Sequence, residues 1–260
     1  MKIMKKQLFG ILSLIFLCAI FSGCIGNLSN DKVIHAYVGA GMQGPMDEIG
    51  VEFEKKYGIK VEYDYSGSGA LLSKIIMSNK GDIFMPGDYS TIYRLQEKEM
   101  IKEYSNVTKH IPVIIVQKGN PKNIQGIRDL EKEGLKIAVG EESIAIGAVF
   151  PKILEKADKN GNISKNVKSN VVVKGITVKQ VLFYVSEKTV DCAIIWRADA
   201  LTLPESVDIV PIESEYNIIK TVPISILGTT KDYDSSKLFY DYVNNEGKAI
   251  FKKHGFMVIE

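Results

Sequence analysis

At 260 residues, 45% of them hydrophobic and 25% charged, the chain is long and apolar enough to bury a sizeable core in one large domain or two small ones. Its formal charge of +2 comes from lysines and acids interspersed throughout, with no basic stripe of the kind that nucleic acid requires, which excludes a nucleic-acid partner. Three cysteines, Cys18, Cys24 and Cys192, offer neither a disulfide framework nor a thiolate metal site.

The N-terminus comes first in chain order. Lys2, Lys5 and Lys6 form a basic head before an apolar run from Leu8 to Phe21. That run, about 14 residues, is short of the ~20 that a membrane-spanning helix needs. It ends in Phe21-Ser22-Gly23-Cys24, small residues directly before a cysteine. The pattern resembles a lipoprotein signal over residues 1–24; a plain signal anchor is the alternative. The resemblance implies export, removal of Cys18 and a lipid on Cys24 that holds the protein to the outer face of the cell membrane. Residues 25–32 read as a polar tether. The +2 charge includes the three signal lysines, so the remainder carries about −1. Only Cys192 is left, inside an apolar strand, in the role of a small buried hydrophobe.

Beyond the tether, short β-rich runs alternate with helical stretches, the pattern of an α/β fold with mostly parallel sheets. The spacing predicts strand Val33–Val38, helix Pro45–Tyr57, strand Ile59–Tyr65, helix Ala70–Ser78, strand Ile83–Met85 and helix Ser90–Lys98. Strands Pro112–Gln117 and Leu135–Val139 follow, then helix Ala148–Lys156, strand Val171–Val173 and helix Val178–Glu187. Strands Val190–Ile195 and Val222–Leu227 and helices Ser235–Asn244 and Gly247–His254 complete the series. Ile111–Gln117 and Thr221–Leu227 stand where crossovers between lobes would stand. The expected division is one lobe of residues 33–110 plus 222–260 and a second of residues 111–221. A ligand cleft would lie between them and close about a hinge.

Four strand-to-helix turns share small residues just before a helix. They are Gly39-Ala40-Gly41-Met42-Gln43-Gly44, Ser66-Gly67-Ser68-Gly69, Ser143-Ile144-Ala145-Ile146-Gly147 and Gly175-Ile176-Thr177. A helix N-terminus has unpaired N–H donors and a partial positive charge, so it attracts anions. Ser, Thr and Gly are also ordinary capping residues, and capping is the plain reading of any single turn. Two turns from each lobe, all at the carboxyl ends of strands, make a stronger pattern, because open α/β sheets bind ligands at that edge. Roughly seven donors at ~1.5–3 kcal/mol each give on the order of 10–20 kcal/mol gross for a buried dianion. After dehydration and closure, about 8–12 kcal/mol would remain, which is micromolar to nanomolar affinity.

Other chemistries fit less well. The first turn is literally G-x-G-x-x-G with Glu62 downstream, the dinucleotide fingerprint, but an exported dehydrogenase has no evident cofactor supply. His35, His110 and His254 lack metalloprotease spacing, and Ser66 stands where a nucleophile elbow needs glycine. Glu141 and Glu142 could serve a metal or a base, but read more simply as a solvated pair at a helix start. No cofactor and no catalytic residue is expected. Asn27, Asn106 and Asn162 open N-x-[ST] triplets, which suit an exported surface.

Further motifs carry a family resemblance across the chain beyond the tether: Tyr37-Val38-Gly39-Ala40-Gly41-Met42, the S-G-S-G core between Tyr65 and Leu71, and Gly81-Asp82-Ile83-Phe84. Val139-Gly140, Ile146-Gly147, Ala193-Ile194-Ile195-Trp196 with Asp199-Ala200, and Lys253-His254-Gly255-Phe256 continue it. The chain resembles the periplasmic molybdate-binding proteins of ABC transporters. This implies a two-lobed type II periplasmic-binding-protein fold and a tetrahedral oxyanion, molybdate or tungstate, delivered to a permease by a monomer. It also implies an oxyanion site at Gly41, Ser68, Ile146, Val178 and Trp196, to which the turns add their neighbours Gly69, Ala145 and Thr177, with no metal beyond the oxyanion. Gly41 falls where the family has a serine, and Trp196 where it has a tyrosine. A related archaeal-type tungstate binder adds carboxylates, a role open to Glu141 or Glu142. Phosphate or sulfate is the rival ligand, and an enzyme on the same scaffold the rival class.

Overall fold

The computed structural model describes residues 32–158 and 162–260. The signal, Cys24, Asn27 and all of the tether except Lys32 lie outside the described residues. Two sheets organise the rest. The first contains β1 (Val33–Gly39), β2 (Lys60–Ser66), β3 (Ile83–Met85), β4 (Ile101–His110), β10 (Lys220–Leu227) and β11 (Met257–Val258), in the order β11-β4-β10-β3-β1-β2. The second contains β5 (Pro112–Gln117), β6 (Ile137–Gly140), β7 (Val171–Gly175), β8 (Cys192–Trp196) and β9 (Val207–Pro211), in the order β7-β6-β8-β5-β9.

Strands joined through helices pair in parallel: β1 with β2 and β3, and β6 with β7 and β8. Strands at and beside the changes of sheet enter the other way, so β10 runs antiparallel to β3 and β4, β11 to β4, and β5 to β8 and β9. Both sheets are therefore mixed. The chain changes sheet at Ile111 and again between β9 and β10. His110 pairs with Lys220, so the two connections run side by side. Pro223 has no N–H for a ladder bond, and it sits at a register shift between β10 and β4, where a bulge tolerates it.

Helices lie against both sheets: α1 (Gln43–Tyr57), α2 (Ser68–Ser78), α3 (Ser90–Gln96), α4 (Ala145–Ala157), α5 (Ile163–Ser169), α6 (Val178–Ser186), α7 (Arg197–Ala200), α8 (Tyr233–Asn244) and α9 (Glu246–Lys253). α1 buries Met46, Ile49, Gly50 and Phe53 at three- and four-residue spacing. It stops where Gly58 takes φ 66° and donates its N–H to Glu54 O at 2.7 Å, a turn that costs glycine little. Phe53 meets Phe239 of α8 edge to face at 4.9 Å, inside the core of the first sheet. Truncating such a ring to alanine costs about 3–5 kcal/mol. α4 packs Ile146, Val149, Ile153 and Leu154 onto the second sheet's Ile137, Val139 and Ile194.

β4, β9, β11, α5 and α7 had no counterpart among the expected elements. β4 reads poorly because Glu103 and Ser105, two of its half-buried positions, are polar. Glu103 pairs with Lys237 at 3.0 Å, and Ser105 donates to Asn244 at 2.7 Å, both on α8, so partners on a helix replace the usual apolar inward face.

Candidate oxyanion site

The pairing register sets the site. Gly39 lies opposite Ser66 and Val38 opposite Met85, so the turns after β1, β2 and β3 leave the first sheet side by side. In the second sheet Gly140 lies opposite Gly175, placing the turns after β6 and β7 together, with β8 running parallel beside β6. Gly41, Ser68 and Gly69 thus share one sheet edge, and Ala145, Ile146, Thr177, Val178 and Trp196 share the corresponding edge of the other.

At the first edge, Ser68 opens α2. Its Oγ accepts the Gly87 N–H at 2.9 Å, and its own proton has no acceptor among the described residues. The first α2 bond runs from Leu71 N to Gly67 O, so the N–H groups of Ser68, Gly69 and Ala70 have no acceptor in the helix, and no side chain caps it. Asp88, the next loop residue after Gly87, accepts from Ser90 Oγ at 2.6 Å and from Lys220 Nζ at 3.0 Å. Burial works to raise its carboxyl, but the bonds from Ser90 and Lys220 outweigh it and hold the group below the usual carboxylate range.

At the second edge, the first α4 bond runs from Ala148 N to Ile144 O, again without a side-chain cap. Ala145 is exposed, whereas Ile146 is 1% exposed in the core, so the backbone N–H is what Ile146 can offer. Thr177 behaves differently. Its Oγ1 accepts from Gln180 N at 3.1 Å while Gln180 Oε1 accepts from Ile176 N at 2.9 Å, a reciprocal cap. At this turn the capping reading holds for the side chain, leaving the N–H groups of Val178 and Lys179 without acceptors in the helix.

Trp196 ends β8, is 6% exposed and belongs to the second sheet's core, while its indole N–H has no acceptor among the described residues. It packs on His110, ring centroids 4.9 Å apart, and Phe256 lies 5.3 Å from the same imidazole. The Cβ of any side chain at Gly41 would stand 2.9 Å from His110 Cε1. His110 therefore brings together one predicted residue from each edge, Gly41 and Trp196. Burial pushes its imidazole down to about 4, with Asp88 pulling weakly the other way, so at neutral pH it is uncharged. Sequence reasoning set this histidine aside for lack of metal-ligand spacing, and missed Gly87 and Gln180 as well. A histidine directly before the expected apolar crossover at Ile111 was the only available signal.

Burial also raises the Asp199 carboxyl, on α7 just beyond Trp196, to about 6, and the Cys192 thiol to about 12, which leaves the thiol inert as a nucleophile. Among the described residues no group of three or more His, Cys, Asp or Glu side chains is placed to hold a metal ion, so Glu141 and Glu142 are not part of such a cluster.

Known proteins resemble this chain over most of its length. A Bacillus subtilis protein, YvgL, described as a candidate ABC transporter substrate-binding lipoprotein, is 28% identical over 246 residues, covering 90% of this chain and 92% of its own. The molybdate-binding protein ModA of Mycobacterium tuberculosis is 23% identical over 234 residues, covering 89% and 87% respectively. The substrate-binding domain of a candidate molybdenum ABC transporter from Clostridium difficile superposes with a TM-score of 0.75 at 22% identity, covering 88% of this chain and 99% of that one. Residues 34–257 match the bacterial extracellular solute-binding protein family, and the chain belongs to that family.

Proposed function

We propose that this protein captures a tetrahedral oxyanion, molybdate or tungstate, outside the cytoplasm and hands it to an ABC importer. Ser68 carries the reading. Its hydroxyl is fixed as an acceptor by Gly87 N–H and keeps its own proton for a ligand, at a helix start beside the turn that carries Gly41. The N–H groups of Gly69, Ala145, Ile146 and Val178 add backbone donors, and the indole of Trp196 adds another. A set rich in N–H and O–H groups suits a fully deprotonated oxyanion, which accepts at every oxygen. The relation to a molybdate-binding ModA supports the choice of ion.

In this reading residues 33–110 with 222–260 form one lobe and residues 111–221 the other. The paired connections at Ile111 and at 212–219 act as the hinge, and closure brings the two edges onto the anion. Lipid on Cys24 holds the monomer to the outer face of the membrane, near its permease; the relation to a lipoprotein such as YvgL supports this. The protein binds its ligand without transforming it.

Trp196 is the only tryptophan, so its fluorescence, followed beside calorimetry, tests the reading with molybdate, tungstate, sulfate and phosphate. Submicromolar binding of molybdate or tungstate is expected, with sulfate at least about 100-fold weaker. Ser68→Ala weakens that binding by roughly 10- to 100-fold, the loss of one hydrogen bond to a charged group. Tightest binding to sulfate or phosphate would transfer the assignment to that anion. No response to any of the four would reject an oxyanion ligand.

A further inference from the structure

Resting on the oxyanion reading, we infer that His110 contacts the ligand, donating through an imidazole N–H at the turn that carries Gly41. Gly41 has no hydroxyl, and the direction in which one would project is already occupied. A Cβ there would meet His110 Cε1 at 2.9 Å, Nε2 at 3.5 Å and Nδ1 at 4.0 Å. The imidazole edge thus stands at the turn leading into α1, in the space that any side chain at position 41 would need.

His110 is 7% exposed, yet its ring nitrogens have no hydrogen-bond partner among the described residues. A neutral imidazole has one N–H donor and one lone pair, and neither ring nitrogen is among the fully enclosed unpartnered atoms of the described residues, so a small molecule can reach the ring. A ring with one reachable donor and no partner in the protein is free to donate to an anion at this edge. Trp196 and Phe256 pack against the ring at 4.9 and 5.3 Å and fix its orientation. Arg197 tightens the same corner, donating through its N–H to Ile111 O at 2.8 Å and through Nη1 to Gly255 O at 2.5 Å. His110 is the last residue of β4, at the point where the chain changes sheet.

The test compares wild-type protein with His110→Phe, His110→Ala and the double variant Gly41→Ser with His110→Ala, each titrated calorimetrically with molybdate and tungstate. His110→Phe keeps an aromatic ring and removes the donor; a loss of at least tenfold in affinity is expected. The double variant restores a hydroxyl at position 41 and should recover at least fivefold over His110→Ala, a gain that a purely structural role would not produce. In the wild-type protein, the His110 imidazole resonances, assigned against His35→Asn and His254→Asn, should shift in proportion to bound anion. This readout holds even if His110→Phe fails to fold. Wild-type binding with unshifted His110 resonances, or with His110→Phe within twofold of wild type, overturns this inference alone. A wild type that binds none of the anions overturns the oxyanion reading and this inference with it.

Discussion

The two sheet edges offer donors in different ways. At the first, side chains matter: Ser68 is oriented by Gly87, and His110 fills the space beside Gly41. At the second, the backbone matters. Ile146 is core, Thr177 is spent on its own cap, and α4 is pressed against the end of β6 so closely that a Cβ on Gly147 would overlap the carbonyl oxygens of Glu141 and Gly140. Substitutions at the first edge, and of Trp196 at the second, should therefore change ligand chemistry, and the other substitutions at the second should change stability or geometry.

The largest expected break in this contrast is Gly147→Ala. Neither backbone carbonyl can move aside cheaply, so the loss is about 3 kcal/mol or more in a denaturant melt, with anion binding falling alongside stability. Next is the pH response of the first edge. His110 ionises near 4 in the folded chain against an ordinary 6.5, so the unfolded chain takes up this proton first as the pH falls. Stability is intact above about 6.5 and is lost as the pH falls towards 4, by on the order of 3 kcal/mol from this group. His110→Phe should flatten the pH dependence of the melting temperature over that window; an unchanged profile would show that other groups govern it.

Thr177→Ala sharpens the contrast more gently. Removing a cap costs ~1 kcal/mol of stability while leaving affinity within about threefold, and Thr177→Ser should behave as wild type. Smallest of all, Glu141→Gln and Glu142→Gln should leave affinity within about twofold, since an ionised carboxylate has no proton to donate to an oxyanion.

Most of the fold was legible in the sequence because apolar periodicity marks it. Strands such as Val33–Val38 and Pro112–Gln117 are β-branched runs with buried patterns, and they match the observed β1 and β5 to within a residue. β4 escaped because Glu103 and Ser105 find polar partners on α8, which no local window reveals. The turn at Ser68 was legible for the same local reason that α2 starts there. His110 was not, because its meaning depends on Gly41, Trp196 and Phe256, residues distant in sequence that meet where the chain changes sheet.

The most direct test of the site is diffraction from crystals grown with tungstate, locating the metal by its anomalous signal. One peak within hydrogen-bonding reach of Ser68 Oγ and of the Ile146 and Val178 N–H groups, bounded by both edges, is the predicted result. A peak elsewhere would contradict it, for instance in the groove of about 300 Å³ beside Asp47, Glu54 and Tyr63. So would a protein that binds tungstate in solution while both edges stay empty in the crystal.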